Sequence, residues 1–181
     1  MRLKGTWRVT TWWLCAALAL PCALPAAQAP QAVDSTVPVG ARLRNATLQG
    51  LNGPARSLTQ FLGKPLIINV WASWCEPCRA EMASLERLAW SDQNRRFNII
   101  GISTDDYAEQ ALGWLAHSNA TISQFIDTRL QMEHMLGATH LPLTVLVDSS
   151  GRVLERIYGS RQWDEPQSQA LIARVFQFPQ P

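Results

Sequence analysis

The spacing of apolar residues changes several times along the chain, and each change marks an element. Leu66 to Trp71 is apolar at every position except Asn69. A strand with one wet face alternates, so this unbroken run predicts a central strand covered on both sides. From Cys75 onward the period lengthens. Met82, Leu85 and Leu88 recur at helical spacing, with Arg79, Glu81, Glu86 and Arg87 between them. That pattern predicts an amphipathic helix opening at the cysteine pair.

The remaining elements follow the same logic. Alternation over Leu43 to Leu51, a turn at Asn52-Gly53 and a return over Ala55 to Leu58 predict an N-terminal hairpin. Phe97 to Ile102 is the next strand, and Thr104 or Asp105 is placed to cap a helix from Tyr107 to His117. Ile122 to Ile126 is a short strand and Leu130 to Leu136 a short helix. Leu143 to Val147 and Val153 to Tyr158 flank Asp148-Ser149-Ser150-Gly151 and read as a hairpin. Asp164 opens the last helix, with Pro166 in its first turn, Gln167 completing a capping box, and Leu171, Ile172 and Val175 on the apolar side. Strand, helix, strand and helix, closed by a hairpin and a helix, predict a three-layer α/β domain.

Charge divides the chain unevenly. Its 181 residues carry a formal charge of +2, but Arg2, Lys4 and Arg8 precede any acid. Residues 30 to 181 then hold 13 of the 16 basic side chains against all 14 acids, a balance of −1. A near-neutral body without basic runs lacks the footprint of a nucleic-acid binder. The basic start, the apolar stretch from Trp12 to Leu20 and the small residues up to Ala29 read as an export signal. Residues 1 to 29 are therefore a signal peptide or, if uncut, a membrane anchor, since no charge falls between Arg8 and Asp34. Residues 30 to 38, rich in Pro, Ala and Gln, form a linker, and the folded domain spans 39 to 179. Export implies the periplasm.

Compartment also decides how the cysteines read. Cys15 and Cys22 lie in the leader, and Pro21 directly before Cys22 argues against lipoprotein processing. The body keeps only Cys75 and Cys78. A loop this short contributes little as a staple, and a domain of this size can bury a sufficient core without one. Zinc needs about four ligands, and the three histidines stand at no finger spacing. Haem attachment needs His where Arg79 stands. Thiol redox chemistry accounts best for the pair. At a helix start, free N–H groups and the helix dipole stabilise a thiolate at Cys75, making it the nucleophile. Cys78, one turn on, is placed to resolve the mixed disulfide that Cys75 forms with a substrate. Glu76 sets a negative charge beside that thiolate, opposing the dipole and favouring a stronger reductant.

The run Val70-Trp71-Ala72-Ser73-Trp74-Cys75-Glu76-Pro77-Cys78-Arg79-Ala80-Glu81, with Leu141-Pro142 ahead of a later strand, resembles the thioredoxin superfamily. Within it, the match is to the exported TlpA-like and ResA-like thiol-disulfide oxidoreductases, and it spans Val39 to Phe178. The resemblance implies a thioredoxin-like three-layer sandwich, a central mixed sheet flanked by helices. It implies a cis bond at Pro142 facing the cysteines, and an active-site rim of Trp74, Glu76, Pro77, Leu141 and Pro142. Asn69 stands where relatives often carry a buried acid, and Glu81 matches the Glu that the exported reductases place three residues after the second cysteine. That match implies help in deprotonating Cys78. The implied activity is reduction of disulfides in client proteins such as apocytochromes or copper-site proteins, with electrons from a membrane thiol-disulfide transporter and no diffusible cofactor.

Other readings stay in view. A disulfide oxidase or isomerase uses the same sulfurs at a less negative potential. A copper-delivery module would hold Cu(I) on the two thiolates, with His140 as the third ligand to consider. Peroxide reduction lacks a peroxidatic motif. Trp71, Trp90 and Trp114 read as core or half-buried packing, Trp163 as packing ahead of the last helix, and Asp105-Asp106 as a helix cap and solvated turn.

Overall fold

The structure is a computed structural model and describes residues 36–91 and 96–178. These belong to the unit Ala32–Pro181. The expected leader, with Cys15 and Cys22, lies outside the described residues. Among those described, no helix is long and apolar enough to cross a membrane.

The elements in chain order are β1 (Thr47–Gly50), β2 (Arg56–Ser57), a 3-10 turn (Leu58–Phe61), β3 (Leu66–Trp71), α1 (Glu76–Trp90), β4 (Asn98–Ser103), α2 (Ala108–Ser118), β5 (Ser123–Ile126), α3 (Gln131–Leu136), β6 (Leu143–Val147), β7 (Val153–Tyr158) and α4 (Pro166–Val175). One mixed sheet carries them in the order β2-β1-β5-β4-β3-β6-β7. β3, β4 and β5 run parallel, and an antiparallel hairpin closes each edge. This is the expected thioredoxin-like arrangement.

β3 shows why the sandwich has three layers. Its six residues are all buried. Leu66, Ile68 and Val70 join one core with the 3-10 turn (Leu58, Phe61) and α3 (Met132, Met135, Leu136). Ile67 and Trp71 point the other way, into a core with Met82, Leu85 and Leu88 of α1, Ala111 of α2 and Ile172 of α4. Period-two alternation on a strand covered on both faces demands apolar residues at every position.

Four boundaries correct the sequence reading. The N-terminal hairpin is shorter than expected, because Asn52 does not simply turn the chain; its side chain bonds the Ile122 carbonyl (2.8 Å) and the Gln124 N–H (2.8 Å), locking the connection onto β5. Thr36 and Val37, counted as linker, are already docked: the Thr36 hydroxyl donates to the His134 carbonyl and the Val37 N–H to the Met135 carbonyl. α2 starts beyond Asp105, with Tyr107 as its N-cap residue. α4 is preceded by Glu165, not by a capping box at Asp164; Asp164 instead accepts from the Arg87 guanidinium on α1 (2.6 Å).

Candidate active site

β3 ends at Trp71, and the loop Ala72 to Trp74 delivers Cys75 to the N-cap position of α1. The Cys75 N–H donates to the Ala72 carbonyl (3.1 Å), tightening that loop. Two amides at the start of α1 then converge on Cys75: the Cys78 N–H donates to its sulfur (3.3 Å) and the Arg79 N–H makes the first helical bond to its carbonyl (3.1 Å). A side-chain acceptor at an N-cap satisfies an otherwise orphaned amide, and here that acceptor is the Cys75 sulfur. Pro77 costs nothing in the first turn, where its missing N–H has no helical partner. Cys75 and Cys78 form a disulfide with Cα atoms 5.3 Å apart. Cys75 is 6% exposed and Cys78 1%, so Cys75 is the less enclosed of the two.

Of the residues expected at the rim, Trp74, Glu76 and Pro77 flank the pair along the chain. Trp74 is 70% exposed, and Glu76 and Pro77 are exposed beside it. The Leu141–Pro142 bond is cis. β6 pairs antiparallel with β3, Val70 opposite Leu143, so the cis bond immediately precedes the end of β6 that lies next to the C-terminal end of β3, from which the cysteine loop departs. Leu141 packs against the core that contains both cysteines.

Asp105 has a different place from the cap expected of it. It is fully buried, and its carboxylate accepts from the Ser73 N–H (3.0 Å), the Ser73 hydroxyl (2.7 Å) and the Ser103 hydroxyl (2.7 Å). β3 and β4 are parallel and in register, with Trp71 opposite Ser103. The two chain exits therefore lie side by side, and Asp105 ties the cysteine loop to β4. Asp106 is the exposed member of the pair.

Glu81, on the same stripe of α1 as Cys78, Met82 and Leu85, is fully buried. Its Oε1 accepts from the Trp163 indole N–H and from the Thr144 hydroxyl (3.4 Å). Asn69, opposite Thr144 in the sheet, donates its amide N–H to that hydroxyl (3.1 Å). Glu81 Oε2 and Asn69 Oδ1 are the buried side-chain atoms without a partner among the described residues. Burial pushes the Glu81 carboxyl from the ordinary 4.5 up to about 7, against the opposing pull of Trp163, Thr144 and the charge of Arg161.

A disulfide at a helix start, a cis-proline just ahead of the antiparallel strand next to β3, and a mixed sheet of this order match one group of known proteins. The model of the AhpC/TSA family covers residues 39–156. The chain belongs to that family. A thiol:disulfide interchange protein DsbE from Vibrio cholerae is 32% identical to this AhpC/TSA member over 142 residues, 75% of this chain and 74% of the relative. The thiol-disulfide oxidoreductase ResA of Geobacillus thermodenitrificans is 28% identical, across 70% and 72% of the two chains. A solved Chlorobium tepidum structure assigned as a DsbE superposes with a TM-score of 0.71, covering 78% of this chain and 99% of that one; at 23% identity it bears on the fold alone. This AhpC/TSA member is a thiol-disulfide oxidoreductase of the DsbE and ResA type, with Cys75 and Cys78 as its pair.

In this AhpC/TSA member, one tryptophan stands where its sequence context does not put it. Trp90 is 74% exposed, its indole bonded to the Thr121 hydroxyl (2.9 Å). Trp71 is core as expected, with its indole donating to the buried Gln124 side chain (3.0 Å). Trp163 is buried, and its N–H reaches Glu81. His140 stacks on Tyr158 (centroids 4.6 Å apart) and contacts the Thr139 hydroxyl. Asp105, Thr144 and Trp163 were missed as site neighbours; only Glu81 carried a sequence signal, its three-residue step from Cys78 along the buried stripe.

Proposed function

We propose that this oxidoreductase is an exported, periplasmic reductase of protein disulfides. The observation that carries the reading is the pairing of environments: the less enclosed cysteine caps a helix, and one turn beyond the other lies a carboxyl whose burial pushes it from the ordinary 4.5 up to about 7. A mere staple needs neither.

The reduced pair starts with a Cys75 thiolate stabilised by the first-turn amides of α1. It attacks a client disulfide, forming the Cys75–client bond and expelling one client thiolate. Cys78 gives its thiol proton to Glu81 and attacks Cys75. The Cys75–Cys78 bond forms, the second client thiolate leaves, and two electrons have passed to the client. The proton held by Glu81 is then free to return to solvent or to the leaving thiolate. A membrane thiol-disulfide transporter re-reduces the pair. Clients are extended segments laid beside Pro142, apocytochromes or copper-site proteins by the resemblance. Glu76 opposes the helix dipole and tips the pair toward electron donation.

The test is trapping. Reduced Cys78→Ser protein mixed with a soluble protein disulfide should accumulate a covalent adduct at Cys75, released by dithiothreitol, whereas Cys75→Ser should give none. Adducts on Cys78 alone would overturn the assignment of nucleophile.

A further inference from the structure

Glu81 presents its two oxygens to unlike surroundings. Oε1 takes both donors, the indole of Trp163 and the hydroxyl of Thr144, while Oε2 is buried with no partner among the described residues. The Trp163 indole does not arrive there by chance packing. Ser84, one turn beyond Glu81 on α1, receives the backbone N–H of Trp163 on its hydroxyl (3.0 Å) and shares its own hydroxyl proton between the carbonyls of Glu81 (2.7 Å) and Arg161 (3.2 Å). The segment between β7 and α4 is thus riveted to the helix that carries the carboxyl. On the other side, Thr144 is held in turn by the Asn69 amide.

We propose that Trp163 is a positioning residue for the thiol chemistry: with Thr144 it occupies Oε1 of Glu81 and so reserves Oε2 as the oxygen that receives the Cys78 proton. This rests on the reading of Glu81 as that proton's acceptor. The step moves one proton from the Cys78 sulfur to Oε2, leaving a thiolate and a neutral carboxylic acid whose Oε1 keeps both donors. Donors to one oxygen favour the ionised carboxylate, so they hold the base available against the burial that would keep it protonated. Arg161, beside Trp163, is the cation whose charge reaches Glu81. α1 adds the Cys78 thiol in the reduced protein, while β3 and β6 contribute the uncharged Asn69 and Thr144.

The experiment measures the rate at which the reduced full-length protein reduces a small-molecule disulfide in single turnover, from pH 5 to 9. Wild type should show a Glu81-dependent break that Glu81→Gln removes. Trp163→Phe keeps an aromatic side chain but loses the indole N–H, and should move the break up by about one pH unit, making the reaction about tenfold slower below it and equal well above it. Thr144→Val, which removes the other donor and barely changes shape, should move it the same way and guards against a Trp163 variant that fails to fold. A break abolished by Glu81→Gln but unmoved by Trp163→Phe and Thr144→Val overturns this proposal and leaves Glu81 as acceptor. A profile indifferent to Glu81→Gln overturns both.

Discussion

Replacing Glu81 by Gln tests the burial argument without reference to catalysis. The side chain keeps its size and an oxygen for Trp163 and Thr144 to bind, but loses the ability to ionise. A carboxyl moved from 4.5 to about 7, at 1.36 kcal/mol per pH unit, is about 3 kcal/mol harder to ionise in the fold than in the unfolded chain. The sign follows from proton counting. Between pH 4.5 and 7 the unfolded chain has released the proton and the folded one retains it, so wild-type stability falls as pH rises, and the loss is complete above about 7. Urea unfolding of the oxidised wild type and variant should be compared at steps from pH 4 to 9. Asp127 and Glu133 are also raised, each chiefly by burial, but both are present in the two proteins and cancel in the difference. Whatever hydrogen bonds the new amide makes do not change with pH, so they shift the difference without tilting it. The difference should therefore move by about 3 kcal/mol in favour of Glu81→Gln across that window, a large share of a stability of about 5 to 15 kcal/mol. A difference flat with pH would show that Glu81 ionises as if solvated and would refute the reasoning.

Asp105→Ala strips the acceptor from Ser73 and Ser103; it should cost about 3 kcal/mol in urea unfolding and slow client reduction, because the cysteine loop loses its tie to β4. Gly101→Ala places a methyl group where the Gln124 amide lies, so it should lower the melting temperature and change Trp71 fluorescence as the Trp71–Gln124 bond breaks. Glu76→Gln should make the reduction potential less negative in equilibrium with a thiol-disulfide buffer; an unchanged or more negative value contradicts the role given to that charge.

What was legible in the chain was local. The unbroken apolar run of β3 and the helical period after Cys75 announced the central strand and α1, and Trp-Cys-Glu-Pro-Cys with a later proline led to the cis bond at Pro142. What was not legible depended on register and on loops. Asp-Asp after a strand is a good cap in isolation; Asp105 becomes a loop clamp because parallel pairing sets Ser103 beside Trp71, a fact no local pattern contains. Thr144 reaches Glu81 because antiparallel pairing puts it across from Asn69. Trp163 sits outside any regular element, and its partner lies far away in sequence. Trp90 reads as packing by type, yet it ends α1 past the buried stripe and faces water.

The central claim is that Cys75 and Cys78 give electrons to client disulfides. The most direct measurement is the reduction potential of the pair, by equilibration with defined thiol-disulfide buffers and trapping of free thiols by alkylation. A pair that donates electrons to clients should have a value near or below that of thioredoxin, about −270 mV. A value near about −120 mV, that of a strong oxidant, would contradict it.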